Sequence, residues 1–260
     1  GARAVSRGDL LTFTEIGAPA SLGLSEIRVA KRPRVALLTT GDELIDVGEP
    51  LYPGKIYNSN QYLLAARLRE LGAEPAAAPI GGDDPARLSQ AVLNAIETND
   101  LLITTGGVSV GKKDFMPAVC ERLGGKLLFK GVSLKPGTPA MAFQKNGKIV
   151  LCLSGNPFAS AATFELLARP LIGRLLGRNR PDPVRVRGIL QNAFRKGSPG
   201  RRFLRAKIVG NQITLPGGED STQSHSSGMI HSMMGCNCLV DIPAGTGPLS
   251  AGQTVEAVLF

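Results

Sequence analysis

Tryptophan is absent from the 260 residues, and aromatic residues make up only 5%. So thin a supply of stacking surface argues against single-stranded nucleic-acid binding. No helix-turn-helix, RNP or zinc-finger pattern supports nucleic acid by another route. The two histidines, His225 and His231, have no triad partner in sequence, and no G-x-S-x-G elbow occurs. Nucleophilic serine chemistry is therefore not expected. Four cysteines (Cys120, Cys152, Cys236, Cys238) form neither a disulfide framework nor a paired C-x-C set for zinc, and reduced thiols in a cytoplasmic protein are expected. No apolar run is long enough to span a bilayer, and the N-terminus lacks a signal peptide's compact apolar stretch. The chain opens on Gly1 rather than Met, which suggests a fragment or a processed product.

What is present is charge of one sign. Thirty Lys and Arg against twenty-one Asp and Glu give +9, with pI ≈ 9.7. With nucleic acid disfavoured, a small polyanionic substrate accounts for that excess.

Residues 1–32 are too few for their own core; they read as a helix-like centre ending in a strand at Glu26–Val29. From 33 to 180 strands and helices alternate. Strands are expected at Arg34–Thr39, Glu74–Ile80, Asp100–Thr104, Lys126–Val132 and Ile149–Leu153. Helices are expected at Asn58–Leu71, where Leu63, Leu64, Leu68 and Leu71 recur at helical spacing, and at Asp84–Glu97, with Asp84 as N-cap and Pro85 at the first position. Asp114 is expected to cap a third helix ending at Gly124. Asn156, followed by Pro157, caps a long helix to about Leu176, kinked at Pro170. This is an α/β pattern, a parallel or mixed sheet with helices on both faces. From 181 to 260 short β segments alternate with Gly and Pro (Val184–Leu190, Phe203–Val209, Gln212–Leu215, Cys238–Ile242, Thr254–Leu259), which reads as a small all-β barrel domain.

Three glycine-rich turns follow apolar strands: LLTTGDE (37–43), LLITTGGVSVGKKD (101–114) and VLCLSGNPFAS (150–160). In open α/β sheets ligands bind at the strands' carboxyl ends, where loop amides converge. Thr40, Gly41, Asp42 and Glu43 stand in the first turn, and Asp83 follows the next strand. Gly106, Gly107, Ser109, Gly111 and Asp114 stand in the second; neither Walker A nor dinucleotide spacing is present. Gly107 is expected to take a side chain without unfolding. Ser154, Gly155, Asn156, Pro157 and Ser160 stand in the third. Between them KPGTP (135–139) is a rigid turn with Lys135 as a fixed positive charge beside Gly137.

In this order and at these spacings, TTGDEL, GGDD, TTGGVSVG-x-x-D, KPG-x-P and SGNP-x-x-S resemble the molybdopterin molybdenumtransferase family, which includes bacterial molybdenum cofactor synthesis enzymes and the E domain of gephyrin. The resemblance covers nearly the whole chain. It implies an enzyme that inserts molybdate into adenylylated molybdopterin and releases AMP in a Mg²⁺-dependent step, working as a homodimer. It also implies that most of a first domain and an inserted second one are missing here. Carried over, Glu43, Asp83 and Asp114 match the family's catalytic and metal-holding carboxylates. Lys135 and Ser154 match positions near its molybdate site, as do Arg201 and Ser227. The chain departs from the pattern at Thr138, where many members carry a second lysine, and at Lys112 and Lys113. The α/β part is shared with the adenylyltransferase that makes adenylylated molybdopterin and with some nicotinamide-mononucleotide deamidase proteins, though the β domain argues against both. A non-catalytic binding scaffold is the other alternative.

Overall fold

The computed structural model of the protein describes residues 3–82, 84–108 and 114–260. Asp83, Ser109, Gly111, Lys112 and Lys113 lie outside the described residues.

The chain begins with helix α1 (Phe13–Ser21), opened by a capping box between Thr12 and Glu15. The expected strand at Glu26–Val29 does not form; that stretch is exposed and has no neighbour in either large sheet. β-like residues do not make a strand without a partner.

Strand β1 (Arg34–Thr39) is buried on both faces. Ala36 and Leu38 join one core cluster, Val35 and Leu37 the other, as the two-residue period of a central strand requires. The short pair β2 (Leu44–Ile45) and β3 (Ile56–Tyr57) follows. Helix α2 (Ser59–Glu70) is capped by Asn58, whose side chain accepts from the Gln61 amide, and buries Leu64 and Leu68. Strand β4 (Glu74–Ala77) is shorter than expected. Helix α3 (Pro85–Thr98) has Asp84 as N-cap, accepting from the Ala86 amide at 2.8 Å. Strand β5 (Leu101–Thr105) is wholly buried.

Asp114 does not cap helix α4 (Met116–Arg122); Phe115 holds that position without a side-chain bond, and Asp114 pairs with Lys130 instead. Next come β6 (Lys126–Lys130), β7 (Leu134–Lys135), β8 (Met141–Lys145) and β9 (Lys148–Leu153). The first sheet runs β4-β1-β5-β9-β8-β6, parallel through β9 and antiparallel beyond it. The α3/α4 cluster fills one face and the α2 cluster the other.

The helix after Asn156 runs as α5 (Pro157–Thr163), a π turn (Phe164–Ala168) and α6 (Arg169–Leu175). The interruption expected at Pro170 thus takes the form of a π turn just before it, where the Arg169 amide donates to Phe164 O. That turn holds the buried Glu165, which accepts from Arg67 at 2.6 and 3.1 Å and from Arg169 at 3.0 Å.

Strands β10 (Arg185–Leu190), β11 (Arg201–Val209), β12 (Gln212–Thr214), β13 (Cys238–Ile242) and β14 (Thr254–Leu259) follow. Their order β12-β10-β14-β13-β11, with β11 also pairing β12, closes a five-stranded barrel around Leu190, Phe194, Leu204, Ile213, Val240 and Ala257. Phe203, Leu239 and Val258 face outward and pack against Phe158 and Ala162 of α5, which joins the barrel to the sheet. Strand β7 adds to the barrel, pairing Leu134 and Lys135 with Arg201 and Arg202.

Candidate functional site

The carboxyl ends of β1, β5 and β9 meet at the edge of the sheet that faces the barrel. The β5 turn is shaped by glycine. Gly106 has φ +88°, and a Cβ there would lie 2.4 Å from the Thr40 carbonyl oxygen, so only glycine lets β1 and β5 turns approach this closely. Asn60 of α2 ties in the third turn by donating from Nδ2 to Gly155 O at 2.7 Å. The sequence reading missed Asn60.

Two cavities adjoin along this edge. The larger, of about 920 Å³, lies between the KPGTP turn, α5 and the barrel. Lys135, Gly137, Ser154, Asn156, Ser227 and Asp114 line it, with Lys130, Arg202 and His225, which the sequence reading had not assigned there. The smaller, of about 550 Å³, is lined by Thr40, Gly41, Glu43, Gly106, Gly107, Gly155, Pro157 and Asn60. Val108, Ser154 and Asn156 line both, so they form a shared wall.

Asp42 lines neither; its backbone oxygen accepts from Lys55 Nζ. Ser160 is fully buried in α5, and its hydroxyl has no partner among the described residues. Arg201 points away: its Nε and Nη2 donate to Asp241 at 2.9 and 2.6 Å. Burial pushes the Asp241 carboxyl up, but the bonds from Arg201 and Arg185 outweigh it and hold the group below the usual range. Its strand neighbour Arg202, on the opposite face, reaches the cavity; its guanidinium lies over Phe194 at 5.7 Å and donates to Ser198 Oγ at 2.9 Å. Alternation along a strand decides which of two adjacent arginines faces the cleft, and the register of that strand is not readable from GRRFLR alone. Thr138 folds back, donating to Leu134 O at 2.7 Å.

Among the described residues the larger cavity is thus lined by three cations, Lys130, Lys135 and Arg202, and one carboxylate, Asp114, which is 3.2 Å from Lys130. His225 adds no charge at neutral pH. Burial, then Arg205 and Arg202, push its pKa down to about 3. Its ring packs edge-on to Phe194 at 5.6 Å. Ser227 is held to the start of α5 from both ends: its carbonyl accepts from the Phe158 amide at 3.0 Å and its hydroxyl from Asn156 Nδ2 at 3.2 Å.

Glu43 and Asp114 come to adjoining cavities rather than to one. Among the described residues no group of three or more His, Cys, Asp or Glu is arranged to hold a metal. The donors are nonetheless hard carboxylate oxygens, and Mg²⁺ is commonly held by one or two of these plus substrate phosphate and water. No described helix is long and apolar enough to cross a membrane.

Comparison with known proteins agrees with this architecture. Residues 36–174 match a family described as a probable molybdopterin binding domain, and residues 187–260 match the MoeA C-terminal region, domain IV. Molybdopterin molybdenumtransferase of Bacillus subtilis (strain 168) is 36% identical over 244 residues, covering 93% of this chain and 56% of that protein. The Staphylococcus aureus (strain Mu50) protein of the same name is 34% identical over 258 residues, covering 98% and 60%. Among solved structures, a molybdopterin biosynthesis MoeA protein from Pyrococcus horikoshii superposes with TM-score 0.84 at 28% identity, over 98% of this chain and 61% of that one. The chain therefore spans somewhat more than half the length of these relatives.

Proposed function

The chain belongs to the molybdopterin molybdenumtransferase family, within molybdenum cofactor biosynthesis, and on that premise we propose that it inserts molybdate into adenylylated molybdopterin with Mg²⁺-dependent release of AMP. The observation that carries this reading is the pair of cavities sharing Ser154 and Asn156, one lined by cations and the other by glycine turns.

Molybdate and a phosphoanhydride are both anions, and bringing them together in water is repulsive. Lys135 and Arg202 would offset that repulsion on the molybdate side, with Ser227 and Asn156 donating hydrogen bonds. On the other side, the backbone amide of Gly107 would receive a phosphate oxygen, in a turn whose Gly106 amide is tied to Leu153 O. Glu43, Asp83 and Asp114 would hold Mg²⁺, which when bound neutralises phosphoanhydride charge and steadies the leaving AMP. No protein nucleophile is required: a molybdate or water oxygen can attack the molybdopterin-side phosphorus, breaking its bond to the bridging oxygen, which leaves with AMP. The same reading places the protein in the cytoplasm as a homodimer, with no nucleic-acid or membrane partner.

The test is AMP release from adenylylated molybdopterin by this 260-residue chain. Release that requires both molybdate and Mg²⁺ supports the proposal. Binding of molybdate and AMP without release would reduce the chain to a scaffold. Adenylyl transfer from ATP to molybdopterin would instead assign it the preceding reaction.

A further inference from the structure

One side chain that lines neither cavity is bonded to the segment that closes both. Arg205 of β11 is fully buried. Its Nη1 donates to Met229 O at 3.0 Å, and its Nη2 donates to Ser224 O at 2.8 Å and Ser226 O at 2.7 Å. Its guanidinium lies 4.1 Å from the centre of the Phe158 ring, two residues beyond Asn156. No carboxylate pairs with it among the described residues. Burial lowers its pKa to about 10, which leaves it charged at neutral pH.

A cation buried without a counter-ion is costly, and an apolar residue of like size commonly serves stability as well or better. The compensation here is geometric. The three acceptors fall within residues 224–229, and that segment carries His225 and Ser227 to the larger cavity and Gly228 to the smaller. Elsewhere in that segment, Ser227 bonds to Phe158 and Asn156, the same end of α5 that the guanidinium stacks on, while Ser224 N and Met229 O bond to the chain neighbours Ser221 and Ser232. A planar fork serves three carbonyls at once, which an ammonium on a flexible stem cannot do in the same geometry.

We propose that Arg205 is the positioning residue of the cleft, fixing segment 224–229 against α5 so that Ser227 presents its hydroxyl to the bound oxyanion. It touches no ligand itself. This rests on the functional reading above, and it predicts that binding depends on a residue outside the cavity walls.

The experiment compares Arg205→Lys and Arg205→Met with Ile213→Ala, a barrel-core control on β12. Hydrogen exchange is followed by residue, and molybdate and AMP affinities by calorimetry. Arg205→Lys should speed exchange at 222–230 while leaving the β13 and β14 amides protected, and should weaken molybdate roughly 10-fold, the scale of one charged hydrogen bond. Ile213→Ala should lower stability and leave both affinities unchanged. Molybdate bound as tightly by Arg205→Lys as by the unsubstituted chain would overturn the inference, and so would faster exchange spread evenly over the barrel. Should both Arg205 variants fail to fold, the unsubstituted protein still decides: molybdate must slow exchange at 222–230, and no slowing there sinks the idea. If the unsubstituted chain binds no molybdate, the functional reading fails instead, and the positioning role is judged on AMP, whose cavity the same segment borders through Gly228.

Discussion

Two stretches border the cleft, and they are held by opposite means. The turn at 104–108 is held by its own backbone: Gly106 and Gly107 take positive φ, and the amide of Gly106 bonds across the sheet to Leu153 O. The segment at 222–230 has few backbone bonds to the rest of the molecule and is held by a buried guanidinium from another strand. The first constraint is carried by residue type, the glycines of the turn itself. The second is non-local and depends on what Arg205 is buried among.

The largest expected effect tests the local side. Gly106→Ala places a Cβ 2.4 Å from Thr40 O at φ +88°. Positive-φ strain and the clash together should cost about 3–5 kcal/mol, lowering Tm by about 10 °C in a chain of this size. A shift under ~2 °C would show that the turn is not held by its glycine.

The next effect tests the non-local side. His225 has its pKa pushed down to about 3 by burial first and the two arginines second, so the folded protein keeps it neutral while the unfolded chain protonates it near 6.5. Stability from this group is therefore full above pH 6.5 and is lost as pH falls toward 3. Between pH 6.5 and 5 the loss should reach about 2 kcal/mol. Denaturant melts of His225→Gln at both pH values should lack this component. Equal acid sensitivity in the two proteins would place His225 outside the segment's stability.

A smaller effect separates the two glycines. Gly107 has φ +67°, and a Cβ would meet Met116 Cγ and Thr40 Oγ1 at 3.2 Å. The sequence-based expectation is that a side chain here does not unfold the domain; these contacts attach a cost to it. Gly107→Ala should cost about 1–2 kcal/mol, because a thioether side chain and a hydroxyl give way more easily than a carbonyl. Thermal melts should therefore rank it well below Gly106→Ala.

The smallest stability effect is at Asp114→Ala. Its pair with Lys130 is 3.2 Å long and partly solvated, with the lysine side chain 55% exposed. Such pairs contribute under about 1 kcal/mol, so Tm should move by no more than a few degrees. AMP release by the same variant should fall on the order of 100-fold if the carboxylate orients Mg²⁺. A strongly lowered melting temperature with full turnover would make the residue structural.

The same division explains what the sequence disclosed. Asp84 before Pro85, the leucines of α2 and the glycine turns are local signals, and they placed helices, strand ends and the edge of the sheet. Strand β8 was missed although Asn146–Gly147, with φ 51° and 75°, joins it to β9 in a two-residue hairpin. An Asn-Gly pair between apolar runs is a usable hairpin signal, and it went unread beside the louder KPGTP turn. Arg202, Arg205 and His225 were beyond local reading: register sorts the two adjacent arginines, and only the closed barrel shows that Arg205 is buried.

Strand β7 makes the barrel less separable than its closed outline suggests. One edge of β11 is divided, with Lys207–Val209 paired to β12 and Arg201–Arg202 paired to Leu134–Lys135. An excised 181–260 piece would leave the latter ladder open, and an uncovered strand edge is a template for pairing with other chains. Exchange of barrels between relatives would therefore need to carry the KPGTP turn along with the barrel. Lys135, which faces the cleft, and Arg201 and Arg202 of β11 form one structural unit, although more than sixty residues of sequence separate them.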